Sequence, residues 1–268
     1  MPRLLILNTN TTPAVTDLVT RHAREVLGDA FDCVPATARF GASYISNEAA
    51  YAIAGHAALD ALAEAGPGFD AVLLACFGDP GLFALKEASA APVVGLAEAA
   101  MIEAAAHGRY SIVTGGALWK VMLQRLALSL GRHNEIASIR PITLTGDAIA
   151  ADPDGAIAFL AGEARAAARD DGARAVILGG AALAGLAARI APMVDVPVID
   201  SVHAGARVRL DWASNMPPER RRESPAMRRP PRAWVARSHK CWLERDHERR
   251  RHLRRAGQRP SWRMPYLG

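Results

Sequence analysis

The feature that most constrains this chain is an internal repeat of about 100 residues. The segment AVLLACFGDPGL at 71–82 aligns with AVILGGAALAGL at 175–186, at a constant offset of 104 positions. After one inserted residue, APVV at 91–94 aligns with VPVI at 196–199. A repeat this long exceeds the unit of a solenoid. It predicts two homologous halves that fold alike and face each other.

Short apolar runs alternate with alanine-rich stretches along the first 206 residues. Such runs are typical of strands buried on both faces, and the alternation is typical of parallel βαβ units. We predict an α/β fold of two pseudo-symmetric lobes, 1–98 and 99–206, each with a four-stranded parallel sheet. The predicted strands are Arg3–Leu7, Asp32–Ala36, Ala71–Leu74, Val93–Leu96, Tyr110–Val113, Ile139–Leu144, Ala175–Leu178 and Val198–Ile199.

The ends of these strands indicate where a ligand would bind. Ligands of open parallel sheets lie beyond the carboxyl ends of the strands. The loops at Asn8, Cys76, Thr114 and Gly180 follow such ends, two in each half. We expect these four loops to line one cleft.

Cys76 closes a buried strand and opens the turn Phe77-Gly78-Asp79-Pro80-Gly81, and we expect a helix from about Leu82. Backbone N–H groups at the start of a helix favour anions and lower the pKa of a thiol. A thiolate here could remove an acidic Cα proton, whereas a small core cysteine is the structural alternative. The equivalent residue in the repeat is Gly180, which with Ala181 can offer N–H groups but no base.

Polar residues at the other strand ends are candidates for binding a substrate. Asn8 and Asn10 belong to the cluster 8–12, where capping of a helix that begins at Pro13 is the alternative role. Thr114 and Gly115 lie at the equivalent end in the second half and could hold an anionic group. Ser43 lies in a loop that either covers the cleft or precedes a helix over 49–62.

Several classes of protein and site are excluded or not expected. Three cysteines cannot form a disulfide scaffold. The sequence contains no run of 18 apolar residues, so no membrane span is predicted. The N-terminal apolar run is too short for a signal peptide, so we expect a reducing cytoplasm. No nucleotide fingerprint and no metal-binding motif is present, so we expect neither a cofactor nor metal catalysis. Cys33 is read as a core residue, and His203 as the start of a helix.

The net charge of +5 is divided unequally. Residues 1–206 carry 14 basic and 21 acidic side chains, whereas 207–268 carry 18 and 6, with four of the five tryptophans. Such a tail could bind nucleic acid or an anionic membrane, but the abrupt change near Ala206 is also what a shifted reading frame produces. We favour the second interpretation and predict poor order, because few apolar residues offset the entropy of ordering.

Residues 1–206 resemble the aspartate/glutamate/hydantoin racemase superfamily, and in particular its hydantoin and allantoin racemase branch. The stretch ACFGDPGL at 75–82 is the most specific part of the resemblance. Supporting stretches are LNTNTT at 7–12, GLAEAA at 95–100 and VPVID at 196–200. The resemblance implies two Rossmann-like lobes that form one domain, with the active site between them and no cofactor. It also implies that a cysteine from each lobe transfers a Cα proton on opposite faces of the substrate.

This chain departs from that pattern at one of the two bases. Cys76 lies at the position of the first cysteine, but the second position is occupied by Gly180. A single thiol can transfer a proton on only one face of the substrate, so we expect racemisation to be weak or absent. Positioned acid–base catalysis is worth about 10²–10⁴ in rate.

Our leading hypothesis is a cofactor-independent isomerase of the amino-acid or hydantoin racemase type, with Cys76 as the thiolate base. N–H groups of Phe77, Gly78, Gly180 and Ala181 would stabilise the enolate-like charge. The alternatives are a one-cysteine decarboxylase-like lyase and a non-catalytic binding relative. The expected partner is a small molecule, either an amino acid or a compound of the hydantoin or allantoin type. Neither a membrane nor nucleic acid is expected, and homo-oligomerisation stays open.

Overall fold

The computed structural model describes residues 1–143 and 151–215, with side chains described through Val208. All of the described residues fall in one compact unit. Among them, no helix has the length and apolar character needed to cross a membrane.

Eight strands form two parallel sheets of four strands each. The first sheet contains β1 (Arg3–Asn8), β2 (Asp32–Thr37), β3 (Ala71–Leu74) and β4 (Val93–Gly95), in the spatial order β2-β1-β3-β4. The second contains β5 (Tyr110–Gly115), β6 (Ile136–Ile142), β7 (Ala175–Gly179) and β8 (Val198–Asp200), in the order β6-β5-β7-β8. The two orders are the same, and the predicted fold class is confirmed.

All eight predicted strands are present, but only β3 has the predicted bounds. β1, β2, β7 and β8 end one residue later than predicted, and β5 ends two residues later. β4 ends at Gly95, because Leu96 is already the first residue of the next helix. β6 begins at Ile136, earlier than predicted, and ends at Ile142. The predicted end of that strand, Leu144, lies outside the described residues.

Eight helices flank the strands in the described part of the chain. They are α1 (Pro13–Leu27), α2 (Glu48–Ala65), α3 (Leu82–Ala88), α4 (Leu96–Ala105), α5 (Trp119–Ser129), α6 (Pro153–Asp170), α7 (Leu186–Ile190) and α8 (Ser201–Asn215). The local sequence explains where several begin. Pro13 occupies the first turn of α1, where its missing N–H costs no hydrogen bond. Asn47 caps α2 by accepting the N–H of Ala50 at 2.9 Å.

One hydrophobic core joins the two sheets. β3 is buried at all four positions, and β1 at every position after Arg3, as expected for strands covered on both faces. Leu73 of β3, Ile112 of β5 and Ile177 of β7 belong to the same cluster of buried side chains. The two halves therefore share apolar contacts and are not independent packing units.

The last helix, α8, crosses the point where the composition changes. Val202, Ala204 and Ala206 are fully buried, and Arg207 pairs with Glu103 of α4 at 2.7 Å. The helix therefore continues past the composition boundary at Ala206, and its small apolar residues before that boundary pack on the core. The remainder of the tail, 216–268, lies outside the described residues, and its predicted disorder stays a prediction.

We expect α8 to be needed for stability. A chain ended after Asp200 should lose cooperative unfolding, because it removes the fully buried Val202, Ala204 and Ala206 from the core. A chain ended after Asn215 keeps every described element and should unfold cooperatively. Urea denaturation followed by circular dichroism compares the two. Equal free energies of unfolding would contradict this role for α8.

Candidate active site

Cys76 lies just beyond β3, in a tight turn at the carboxyl end of the sheet. The N–H of Ala75 still donates to Leu7 O at 2.8 Å, which extends the pairing with β1 by one residue. The carbonyl of Cys76 then accepts the N–H of Asp79 at 3.1 Å. The Cys76 side chain is buried, with 9% of the residue exposed. The turn thus holds a nearly enclosed thiol beside the strand ends.

The same turn contacts the second half of the protein through two glycines. A Cβ on Gly179 would lie 2.2 Å from Cε1 of Phe77, so only glycine at 179 leaves room for that ring. A Cβ on Gly78 would lie 2.2 Å from Cζ3 of Trp119, at the start of α5. The loop that carries Cys76 therefore lies directly against β7 and α5, and the strand ends of both sheets meet there.

Thr114 lies at this junction but uses its hydroxyl within the protein. It is buried, and its Oγ1 donates to Gly179 O at 2.8 Å. That bond joins the end of β5 to the end of β7. The side chain therefore contributes an acceptor at most, because its proton is already engaged.

Gly180 faces open space. A Cβ built on Gly180 would have no heavy atom within 4 Å, although its φ of +135° is one that L side chains rarely adopt. Ala181 follows in a short 3₁₀ turn, Ala181–Leu183, closed by the N–H of Leu183 on Gly180 O at 2.9 Å. The position equivalent to Cys76 therefore has no side chain, and there is space around it for one.

Free backbone donors follow Cys76. Within the described residues, the N–H groups of Phe77 and Gly78 have no hydrogen-bond acceptor. The carbonyl of Gly78 accepts the hydroxyl of Tyr51 at 2.9 Å, which fixes the next peptide of the turn, between Gly78 and Asp79. Burial raises the pKa of Tyr51 to about 12, so this hydroxyl stays a neutral donor. Such fixed N–H groups suit a developing negative charge.

Asn8 and Asn10 have different roles in the loop after β1. Asn8 is fully buried, and its Nδ2 contacts Asn10 Oδ1 at 3.0 Å and Thr16 Oγ1 at 3.0 Å, while its Oδ1 accepts the N–H of Asn10. Asn10 also accepts the N–H of Thr12 at 2.9 Å, but its own Nδ2 has no partner among the described residues. Asn8 therefore shapes the loop, and Asn10 retains a free donor.

The two remaining predicted positions lie at the edge of this region. Ser43 is exposed, and its carbonyl accepts the hydroxyl of Thr12 at 2.9 Å, which ties the loop after β2 to the loop after β1. Gly115 is half-buried at the end of β5. The neighbouring Tyr44 hydroxyl lies 3.8 Å from where a Cβ of Gly116 would be. The 43–44 segment thus reaches across to the second half.

The expected depression of the Cys76 pKa is wrong for the free protein. Burial raises the pKa of Cys76 to about 12, the nearby Thr9 hydroxyl lowers it, and the negative charge of Asp79 raises it. The physical reason is that desolvation penalises the thiolate, and α3 begins only at Leu82, beyond the turn. Cys76 is consequently protonated at neutral pH before any ligand binds.

Asp79 is a structural residue of the site that the sequence reasoning missed. It is buried with a φ of +54°, and its carboxylate accepts the N–H of Ala97 at 3.0 Å and of Glu98 at 2.8 Å, at the start of α4. Burial raises its pKa to about 7 against the lowering effect of these two bonds. Its position before Pro80-Gly81 was the available signal, since aspartate tolerates positive φ in turns.

The two weaker candidates, Cys33 and His203, lie in the elements that the sequence predicted for them. Cys33 is buried in β2 as a core residue, and burial raises its pKa. His203 lies in the first turn of α8, where its N–H donates to Asp200 Oδ1 at 3.1 Å. The third cysteine of the chain, Cys241, lies outside the described residues.

Comparison with known proteins identifies related sequences and structures. The family model described as Asp/Glu/Hydantoin racemase matches residues 4–208. A hydantoin racemase of Paenarthrobacter aurescens is 34% identical over 209 residues, which are 77% of this chain and 89% of that protein.

Two solved allantoin racemases have a similar structure. The enzyme of Pseudomonas fluorescens superposes with a TM-score of 0.75 at 30% identity, covering 79% of this chain and 91% of that one. The enzyme of Klebsiella pneumoniae superposes with a TM-score of 0.73 at 31% identity, covering 80% and 88%.

Gly95 should be indispensable for the position of Asp79. A Cβ at residue 95 would lie 2.1 Å from Asp79 Cγ, so Gly95→Ala displaces a buried carboxylate that accepts two N–H groups. We expect a loss of about 2 kcal/mol or more in free energy of unfolding. Gly162→Ala, in α6 with nothing near its Cβ, is the matched control and should stabilise by about 0.5–1 kcal/mol. Equal stability of the two variants in urea would contradict this.

The pKa of Cys76 can be read from the pH dependence of alkylation. Because the thiolate is the nucleophile, the rate with iodoacetamide should keep rising between pH 8 and about 11, whereas an ordinary thiol levels off above its pKa of about 8.5. Peptide mapping by mass spectrometry follows Cys76 separately. The same peptide in the denatured chain is the control. A plateau below pH 9 in the folded protein would overturn the assignment.

Proposed function

Because this chain belongs to the Asp/Glu/hydantoin racemase family, we propose that it is a racemase-type isomerase acting on the Cα–H of an amino acid or a hydantoin derivative. Its base is the Cys76 thiolate, and it uses no cofactor. The observation that carries the proposal is the position of Cys76: at a strand end, within a turn that lies against the second half of the protein.

The groups around Cys76 suit proton transfer at an acidic carbon. The thiolate takes the Cα proton, and the electron pair left behind is delocalised into the neighbouring carbonyl. The N–H groups of Phe77 and Gly78 have no acceptor and can bind that oxygen. We assign Asn10 Nδ2 and the N–H groups of Gly180 and Ala181 to the remainder of the substrate. Asn8 and Thr114 support these groups through hydrogen bonds within the protein.

The chemistry proposed for this chain is one-sided. Cys76 removes and returns a proton on one face, and the position opposite carries no acid because Gly180 has no side chain. Exchange of the Cα proton with solvent should therefore exceed inversion. A missing positioned acid lowers the rate of inversion by about 10²–10⁴.

Washout of the Cα proton in D₂O, followed by proton NMR, tests the proposal. Both enantiomers of 5-substituted hydantoins, allantoin, aspartate and glutamate are supplied, and inversion is followed by chiral chromatography. We expect exchange of one enantiomer, little inversion and a loss of exchange of at least a hundredfold in Cys76→Ser. Full exchange in Cys76→Ser would refute the role of Cys76.

The second base can be restored by substitution. Gly180→Cys places a thiol in open space, and Gly180→Ala imposes the same backbone strain without a thiol. We expect inversion to rise in Gly180→Cys relative to Gly180→Ala, while exchange on the first face persists in both. Equal inversion in the two variants, with both folded by circular dichroism, would contradict one-sided chemistry.

Adding a disubstituted malonate as a substrate, and measuring ligand binding directly, separates the alternatives. Release of CO₂ from a disubstituted malonate without Cα exchange would favour a one-cysteine lyase. Binding of hydantoins or amino acids with neither exchange nor CO₂ release would favour a non-catalytic relative. Either result would replace the isomerase proposal.

A further inference from the structure

A second group of chemically active side chains lies outside the candidate active site. His22 and Glu25 lie one turn apart on α1, and His203 lies in the first turn of α8. Each offers one ligand atom, and these atoms all lie within 4.8 Å of one another. Two imidazoles and one carboxylate form a ligand set that suits divalent transition ions such as Zn²⁺.

Hydrogen bonding among these three side chains involves only His22 and Glu25. His22 Nδ1 lies 2.7 Å from Glu25 Oε2, which is an ordinary contact between residues three apart on a helix. His203 Nε2 is buried and has no hydrogen-bond partner in the described part of the chain. It lies 3.9 Å from Glu25 Oε2, beyond hydrogen-bond distance. A buried, unpartnered nitrogen facing a carboxylate is what a ligand site without its ion presents.

The surrounding backbone holds both imidazoles in place. Asp200 accepts the N–H of His203 at 3.1 Å through Oδ1 and the N–H of Gly185 at 2.6 Å through Oδ2. Gly185 in turn leaves the space that the His22 ring fills, since a Cβ there would lie 2.6 Å from His22 Cε1. One carboxylate therefore positions His203 directly and His22 through the loop it packs against.

The exposure of the three side chains fits an ion that enters from solvent. The His22 and His203 side chains are 13% and 23% exposed, whereas Glu25 is 51% exposed and can rotate. Zinc bonds of about 2.0–2.2 Å would place the ligand atoms ~3.4 Å apart, within reach of small rotations from the spacing observed. Three protein ligands leave a fourth position for water.

We propose that His22, Glu25 and His203 form a binding site for a divalent transition ion of the Zn²⁺ class. The ion connects α1 of the first half with α8 of the second half. It stabilises the contact between the halves and takes no part in proton transfer. This site is independent of the proposed isomerase function.

Zinc binding to the full-length chain tests the proposal. Isothermal titration of the metal-free protein with Zn²⁺ should give a site that His203→Gln and Glu25→Gln each weaken at least tenfold. Zinc at a hundredfold excess over its Kd should raise the Tm by about 5 °C or more, and the variants should lose this shift. Glu25 is half-exposed, so Glu25→Gln remains informative if His203→Gln fails to fold. His107→Gln, at an exposed position after α4, is the matched control.

Cobalt distinguishes this site from the thiols. Co²⁺ should give the visible spectrum of a four-coordinate nitrogen and oxygen site, without the near-ultraviolet band of a thiolate ligand. Unchanged zinc affinity and Tm shift in both variants would overturn the proposal. It would also be overturned if Cys76→Ser removed the binding while His203→Gln and Glu25→Gln left it intact. Retention of the Tm shift in His107→Gln and its loss in Glu25→Gln would support it.

Discussion

Two buried carboxylates hold the strand ends of this protein in place, one in each sheet. Asp79 reaches from the loop after β3 to two N–H groups at the start of α4. Asp200 reaches from the end of β8 to the start of α8 and to Gly185 in the loop after β7. Each carboxylate thus satisfies N–H groups at a helix start and fixes the neighbouring loop. These bonds fix the loop that carries Cys76 in the first half and the loop that carries Gly185 in the second.

The two sheets take the carboxylate that binds these N–H groups from different positions of the repeat. Strand register pairs Leu74 with Gly95 in one sheet and Leu178 with Asp200 in the other, so Gly95 and Asp200 are equivalent. In the first half the carboxylate comes from the loop and the strand end must be glycine. In the second half the strand end supplies the carboxylate itself. The same backbone is therefore stabilised by side chains of different origin.

Fixing the Cys76 loop against the second half has a chemical consequence. The loop packs against the second half through Phe77 and Gly78, Cys76 is buried in it, and this burial raises the pKa of Cys76. The proposed base is thus held in a fixed loop and is protonated in the free protein. In the proposed reaction, substrate binding has to supply the interactions that favour the thiolate, and the free N–H groups of Phe77 and Gly78 follow Cys76 directly. The scaffold is symmetric, while the proposed chemistry is not, because Gly180, at the position equivalent to Cys76, has no side chain.

The sequence by itself determined the α/β class, the eight strands, the equivalence of Cys76 and Gly180 and the position of His203 at a helix start. These follow from apolar runs and from a repeat, which are local or directly comparable along the chain. Only the tertiary structure decided the direction of the Cys76 pKa shift and the hydrogen bonds that Asn8 and Thr114 make within the protein. It also decided that Asp79 binds the start of α4, and that His22, Glu25 and His203 lie close together. Burial and long-range hydrogen bonds depend on which elements lie against each other in space. Residues 22 and 203, for example, are separated by almost the whole described chain and meet only because α1 packs against α8.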